Sequence, residues 1–221
     1  MSIPLKIDFV SDVVCPWCVI GLRGLETALE NVGDLVEAEI TFRPFELNPG
    51  MAASGQDISE HIAEKYGAEA ARSTANRDAI RDRAASLGFA MNFRSGARIY
   101  NSFDAHRLLH WAGIEGRQAE LKHALFAAYF TDGRDISDAE TLVGAVGAAG
   151  LDPVAARAII ASDTYAEDVR ADERRWRQEG ITAVPSIVIN ERYVISGGQE
   201  PATFERALRS IAAELTPAQA G

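Results

Sequence analysis

The chain contains two cysteines, and they enclose only two residues in the motif Cys15-Pro16-Trp17-Cys18. Thiols at this spacing can form a reversible disulfide with each other, and either can exchange with a disulfide of another molecule. A structural disulfide framework would use more cysteines, spread further along the chain. Closing so short a loop would also add little stability. The pair is therefore predicted to serve redox chemistry rather than to staple the fold.

The elements around the motif are predicted to place Cys15 at the start of a helix. Residues 4–10 alternate as a strand does, and Pro16 suits the first helical position of the apolar stripe that follows. Free backbone N–H groups and the helix dipole favour an anion at such an end, and a thiolate is the nucleophile of disulfide exchange. We expect Cys15 to be the nucleophile and Cys18, one turn along, to resolve the mixed disulfide. Trp17 would give an apolar platform beside the sulfur.

Half of a zinc site is another reading of a cysteine pair at this spacing. Zinc would need two further ligands, and histidines are the natural candidates. None of the four histidines has zinc-finger spacing to the cysteine pair: His61, His106, His110 and His123. We therefore predict no metal site.

The remaining pattern predicts an α/β chain with a block of helices in its middle. A second strand is expected at 35–43, and residues 57–179 show helical signals with no convincing strand. Strand signals return at 186–189 and 193–195, separated by a turn, and Pro201 opens a last amphipathic helix. With the middle block removed, the order of elements is that of a thioredoxin fold.

Three helix starts inside the block can be predicted from their capping residues. Asp57 and Ser137 each precede a glutamate by three residues, which is the spacing of a capping box, and Asp152 precedes a proline. The charge-dense run at 168–179 is interpreted as a solvated helix face.

Composition excludes several classes of partner. The 221 residues carry a formal charge of −10, which repels phosphate backbones and anionic lipid, so neither nucleic acid nor a membrane surface is an expected partner. No apolar run approaches the roughly 20 residues that span a bilayer. The first residues alternate without a basic segment, so they do not look like a signal peptide, and a cytoplasmic location is expected.

Five segments spread over nearly the whole chain form a recognisable series: DFVSDVVCPWC at 8–18, RPFELNP at 43–49, NSFDAHRL at 101–108, GITAVPS at 180–186 and ISGGQ at 195–199. In this order they resemble the DsbA-like oxidoreductases, in particular the FrnE-type subfamily. A match of this extent is much more specific than the cysteine motif alone.

The resemblance implies a thioredoxin fold with a mixed sheet, interrupted by a large all-helical insertion. Residues 1–50 and 180–215 would form the thioredoxin-fold domain, residues 51–179 the helical insertion, and 216–221 a flexible tail. It also implies a cis peptide bond between Val184 and Pro185, in a loop packed against the cysteines. The backbone of Val184 would then be free to pair with an extended substrate segment.

Other polar residues near the motif have two readings each. His106 is a candidate for tuning the thiolate or moving protons at the mouth of the site, or else a core histidine with a satisfied hydrogen bond. Asp12 is either a proton relay for Cys18 or a turn carboxylate. His110 is expected to be structural, and Arg43 with Pro44 to shape the bottom of the site.

The leading functional hypothesis is a thiol–disulfide oxidoreductase that acts on proteins or peptides. No bound cofactor is expected, and glutathione or another thiol is a possible reductant. One alternative is a glutathione-dependent isomerase or transferase of the kappa-like class, although relatives of that class usually carry serine where Cys15 stands. The other is a redox-switched binding module. Both a monomer and a homodimer remain open.

Overall fold

The structure is a computed structural model that describes residues 2–52, 54–67, 70–94 and 96–216. The predicted flexible tail lies outside these residues except for Thr216. The strands are β1 (Ile3–Ser11), β2 (Val36–Pro44), β3 (Gln56–Asp57), β4 (Arg98–Ile99), β5 (Ser186–Ile189) and β6 (Tyr193–Ser196). The helices are α1 (Pro16–Asn31), α2 (Ile58–Tyr66), α3 (Ala70–Ser86), α4 (Phe103–Ile114), α5 (Gln118–Phe126), a π-helical turn (Ala127–Thr131), α6 (Ala139–Ala148), α7 (Pro153–Ile160), α8 (Ala166–Gln178) and α9 (Pro201–Leu215).

The main sheet has four strands in the order β2-β1-β5-β6. β1 pairs with β2 in parallel, with Ile7 opposite Ile40, and α1 makes the connection between these two strands. β1 pairs with β5 in antiparallel fashion, and β5 pairs in the same way with β6. The strands and helices expected at both ends of the chain are present, and the mixed sheet confirms the predicted thioredoxin fold.

The two faces of the sheet carry separate cores because side chains alternate along each strand. Ile7 and Phe9 of β1 are buried on the face covered by α1 and α9. Val10 and Val188 are buried on the other face together with Trp176 of α8. The sheet is thus covered on both sides, which holds the carboxyl end of β1 and the start of α1 in place.

The block between β2 and β5 is helical apart from β3 and β4, which form a two-stranded antiparallel ladder. Two-residue strands carry no sequence period, so the pattern did not predict them. Asp57 caps α2 and Asp152 caps α7 as predicted. The predicted cap at Ser137 is wrong by one residue, because Asp138 accepts the N–H of Thr141. Within the described residues, no helix is long and apolar enough to cross a membrane.

The interpretation of residues 168–179 as a solvated helix face is wrong for one side of α8. Val169, Glu173 and Trp176 are buried, and their spacing of four and three residues places them on one helical face. Glu173 accepts the backbone N–H of Glu46 at 3.1 Å and pairs with Arg170 at 2.8 Å. α8 lies within the predicted helical insertion, yet it covers one face of the sheet. The division into domains at residues 50 and 180 stays a prediction.

Candidate active site

Cys15 occupies the position just before the first turn of α1, with Pro16 as the first helical residue. Both cysteines are free thiols. Cys15 is 4% exposed and Cys18 is fully buried, and the N–H of Cys18 donates to the carbonyl of Cys15 at 3.0 Å. One thiol therefore lies at the positive end of a helix dipole with access to the surface, and the other lies directly behind it.

The loop that faces the motif contains a cis peptide bond between Val184 and Pro185, as the resemblance implied. The Val184 carbonyl accepts a hydrogen bond from the thiol of Cys15, with an S···O distance of 3.7 Å. Pro185 packs on α1 at Gly21, where an added Cβ would come within 2.9 Å of the proline ring. The missing side chain at Gly21 thus lets the loop approach the start of the helix.

A cavity of about 620 Å³ opens beside Cys15. Pro16, Trp17 and Val184 line it together with the thiol, and the Trp17 side chain is 44% exposed there. Its apolar wall comes from the helical block: Ile58, Ile62, Ile80, Phe93, Tyr129 and Phe130. Basic side chains that include Lys65 and Arg177 also line this cavity, which we call the substrate cavity because it opens beside Cys15. The cavity can accept apolar groups next to a disulfide and carboxylates at its edge.

Asp12 lies fully buried behind the thiols, at the turn between β1 and α1. Its carboxylate accepts the N–H of Leu47 at 2.8 Å and lies 3.4 Å from Nε2 of His106. Burial alone would raise the pKa of Asp12, but His106, the Leu47 N–H and Ser102 outweigh it and hold the pKa below 3.8. Asp12 is therefore an ionised, hydrogen-bonded turn carboxylate, and its charge lies close to the buried thiol.

Burial raises the pKa of the Cys18 thiol well above its ordinary value, and contact with Cys15 raises it further. A positive charge opposes this effect, and it comes from Lys122 of α5. Burial lowers the pKa of Lys122 to about 8, although the sulfurs and Asp12 favour its charged form. Sequence reasoning missed this residue. The one available signal was its position one turn before Phe126, on the buried side of the helix.

His106 is 2% exposed and does not line the substrate cavity. It lies instead against Asp12 and lines a second cavity of about 450 Å³, between β2 and helices α4 and α5. Arg43 and Pro44 border this rear cavity as well, and Arg43 pairs with Asp8 at 2.6 Å. Of the two readings of His106, its position agrees with that of a core histidine, because α4 directs the ring to the rear of the thiols. A role in tuning the thiolate or moving protons stays a prediction.

Six of the seven predicted site residues lie together at the start of α1 and the facing loop: Cys15, Pro16, Trp17, Cys18, Val184 and Pro185. His110 contacts the ring of Tyr165, with 5.1 Å between the centroids. Among the described residues, no group of three or more His, Cys, Asp or Glu side chains is placed to hold a metal ion.

Solved structures share this fold, and three of them show the range of likeness. A probable DsbA oxidoreductase from Streptomyces coelicolor is 36% identical, with a TM-score of 0.91 over 97% of this chain and 93% of the other. A 2-hydroxychromene-2-carboxylate isomerase is 17% identical, with a TM-score of 0.70 over 96% and 99%. The cytosolic disulfide reductase DsbM from Pseudomonas aeruginosa, solved with GSH, is 15% identical, with a TM-score of 0.63 over 94% and 99%.

The family model described as a DSBA-like thioredoxin domain matches residues 6–209. That range contains the cysteine pair, the facing loop and the whole helical block. The chain belongs to the DSBA-like thioredoxin domain family.

Proposed function

We propose that this protein is a thiol–disulfide oxidoreductase that acts on protein or peptide disulfides. Cys15 attacks the substrate disulfide, forms a mixed disulfide with one of its sulfurs and releases the other sulfur as a thiolate. Cys18 then attacks Cys15, which releases the second substrate sulfur as a thiol and leaves a Cys15–Cys18 disulfide. Two molecules of an external thiol, such as glutathione, reduce that disulfide, are themselves oxidised to a disulfide and complete the cycle.

The observation that carries the proposal is the position of the two thiols. Cys15 lies at the amino end of α1 and opens into the substrate cavity, while Cys18 lies behind it, shielded from solvent. A thiolate is stabilised at a helix amino terminus. The Val184 main chain beside the thiol offers an extended peptide a place to pair, and the apolar wall offers its side chains a place to pack.

The proposed setting is the cytoplasm, with the reaction running toward reduction or isomerisation. Thiols in that compartment are kept reduced, so an exchanging pair there meets excess reductant. Basic side chains beside the substrate cavity suit the carboxylates of glutathione. The structural neighbour DsbM carries the name of a cytosolic disulfide reductase and was solved with GSH, and its likeness supports the fold.

Trapping tests the substrate class directly. In Cys18→Ala, Cys15 can attack but cannot be released, so mixed disulfides accumulate and can be isolated from cells and identified. We expect cysteine-containing proteins attached to Cys15, and we expect Cys15→Ser to trap nothing. In turnover assays with a protein disulfide and glutathione, Cys15→Ser should abolish activity. Full activity of Cys15→Ser would refute the proposal.

A glutathione-dependent reaction on a small molecule is the second candidate. It is favoured by the size and apolar wall of the substrate cavity, which suit a small aromatic compound. It predicts that glutathione alone is found on Cys15 in the trapping experiment, and that isomerase turnover survives replacement of Cys18.

A further inference from the structure

Lys122 is buried in a place where a lysine is costly. Its side chain is 1% exposed, and the ammonium lies 4.8 Å from the ring centroid of Phe126 and 5.8 Å from that of Phe42. Burial of an ammonium is unfavourable, and two aromatic faces compensate only in part. A lysine in this position is therefore more easily explained by chemistry than by stability.

The titratable groups around Lys122 come from three directions. Cys18 of α1, Asp12 of the turn before that helix and Cys15 at its N-cap each act electrostatically on the Lys122 ammonium. His106 of α4 lines the same rear cavity. Two of these groups are the reacting thiols, and Asp12 is held ionised. The amine thus lies within electrostatic reach of the one thiol that must lose a proton inside the protein.

In the resolving step the Cys18 thiol must lose its proton while the substrate is still bound to Cys15. Cys18 is fully buried, and its thiol has a pKa well above the ordinary value. A substrate bound in the cavity in front of Cys15 would displace water from that side when Cys18 has to ionise. The attacking species is the thiolate, and an adjacent base is required.

The rear cavity provides an exit on the other side of the thiols. Its inner end is lined by buried Lys122 and His106, and its outer end by exposed Glu39 and Glu120. It is separate from the substrate cavity, so substrate does not block it. A proton taken up at Lys122 can therefore pass to solvent without crossing the substrate.

We propose that Lys122, as the neutral amine, accepts the proton of Cys18 when this thiol attacks the mixed disulfide, and that the rear cavity carries the proton away. The proposal rests on the proposed function. The Cys15–substrate S–S bond breaks and the Cys15–Cys18 bond forms. The electron pair of the broken bond leaves with the substrate sulfur as a thiolate, and the proton of Cys18 becomes the third proton of the ammonium. Reversal of this step returns the proton to Cys18 during reduction.

The test uses the reduced full-length protein and 5,5′-dithiobis(2-nitrobenzoate), which releases one coloured thiolate when Cys15 attacks and a second when Cys18 resolves. In the wild type, the rate of the second release should rise with pH and level off above about pH 8, where the amine is neutral. Cys15 is in the mixed disulfide at that stage and cannot titrate. The pKa of the Cys18 thiol is raised well above its ordinary value, so its own ionisation would give no plateau near pH 8, and a plateau there would report the amine.

Lys122→Met keeps the volume and removes the base. We expect its second release to be at least about 10-fold slower at pH 8 and to climb with pH without a plateau, while the first release changes far less. Lys122→Arg keeps the charge but cannot give up a proton, so it should also be slow and lack the plateau. Lys6→Met, which removes an exposed lysine of β1, is the matched control and should leave both releases unchanged.

Two results would overturn the role of Lys122. One is a wild-type second release that shows no plateau near pH 8, which can be judged even if the variants fold poorly. The other is a wild-type rate and pH profile in Lys122→Met or Lys122→Arg. In both cases the Cys15–Cys18 disulfide still forms and the proposed function stands. Release of only one thiolate by the wild type would instead contradict the proposed function itself.

Discussion

Asp12 joins the active-site turn to the loop after β2 through its carboxylate. It accepts the N–H groups of Leu47 at 2.8 Å and of Val14 at 3.4 Å, and it lies beside His106. The folded protein holds its pKa below 3.8, despite a burial that acts in the opposite direction. The ionised form is therefore favoured by folding, so Asp12 stabilises the native state above pH 3.8 and loses this contribution as the pH falls through its folded pKa.

Asp12→Asn should lower the free energy of unfolding by about 1–3 kcal/mol at pH 7, because a buried charge-assisted acceptor is replaced by a neutral amide. The difference in the free energy of unfolding between variant and wild type should shrink below pH 4, where the Asp12 carboxylate of the unfolded wild type begins to take up a proton. Urea unfolding at pH 7, 5 and 3 measures both effects.

Asp34→Asn is the control, because Asp34 is exposed. It should change the free energy of unfolding by less than about 0.5 kcal/mol at each pH. An Asp12→Asn gap that stays constant down to pH 3 would contradict the assignment of the effect to the carboxylate charge.

At the scale of elements, the site depends on how closely the turn after β6 approaches α1. A Cβ on Gly198 would lie 2.9 Å from the carbonyl oxygen of Trp17 and 3.1 Å from Cγ2 of Ile20. The nearest obstacle is backbone of the first helical turn, which cannot rotate away as a flexible side chain can. This contact fixes the start of α1, and hence the motif, against the rest of the sheet.

Gly198→Ala should therefore destabilise the protein by about 1–3 kcal/mol, the usual cost of overpacking, and should lower the rate of disulfide reduction because the first turn of α1 must shift. Thermal unfolding and a turnover assay report the two effects. Gly144→Ala is the matched control in α6, where an added Cβ meets nothing within 4 Å. That change should stabilise the protein by about 0.5–1 kcal/mol. Equal changes in stability and rate for Gly198→Ala and Gly144→Ala would contradict the explanation by close approach of the turn to α1.

At the scale of the whole molecule, the helical block forms one wall of the cavity beside the thiol. The thioredoxin-fold part contributes Cys15 and the Val184 loop, whereas α2, α3 and the π-helical turn contribute the facing wall of the substrate cavity. The reactive atoms and the selective surface thus come from different parts of the chain. A change in the wall should alter substrate choice without altering the thiol chemistry.

Ile62→Ser in α2 should lower kcat/KM about 3- to 10-fold for a peptide disulfide flanked by leucine or phenylalanine, since part of an apolar contact is lost. Reduction of bis(2-hydroxyethyl) disulfide, which is too small to need the wall, should be unchanged. Val154→Ser is the control, because Val154 of α7 is 74% exposed and lies outside the substrate cavity. Equal losses on both substrates would show that the wall acts on the thiols and not on recognition.

The sequence by itself determined the parts of the site that depend on local pattern. The alternation in β1 and the proline after Cys15 are short-range signals, and they correctly place the thiol at the start of α1. The cis bond at Pro185 was predicted from resemblance, because an isolated proline carries only a small preference for that isomer.

Only the tertiary structure decided what stands behind the thiols. Lys122 and His106 are polar residues on helices more than eighty residues from the motif, and the spacing of Lys122 to Phe126 is the one local signal that either faces the core. The packing of α4 and α5 against β2 brings both to the rear cavity and places Lys122 within electrostatic reach of Cys18. A local period specifies which face of a helix is apolar, but the partner of that face depends on contacts between distant segments.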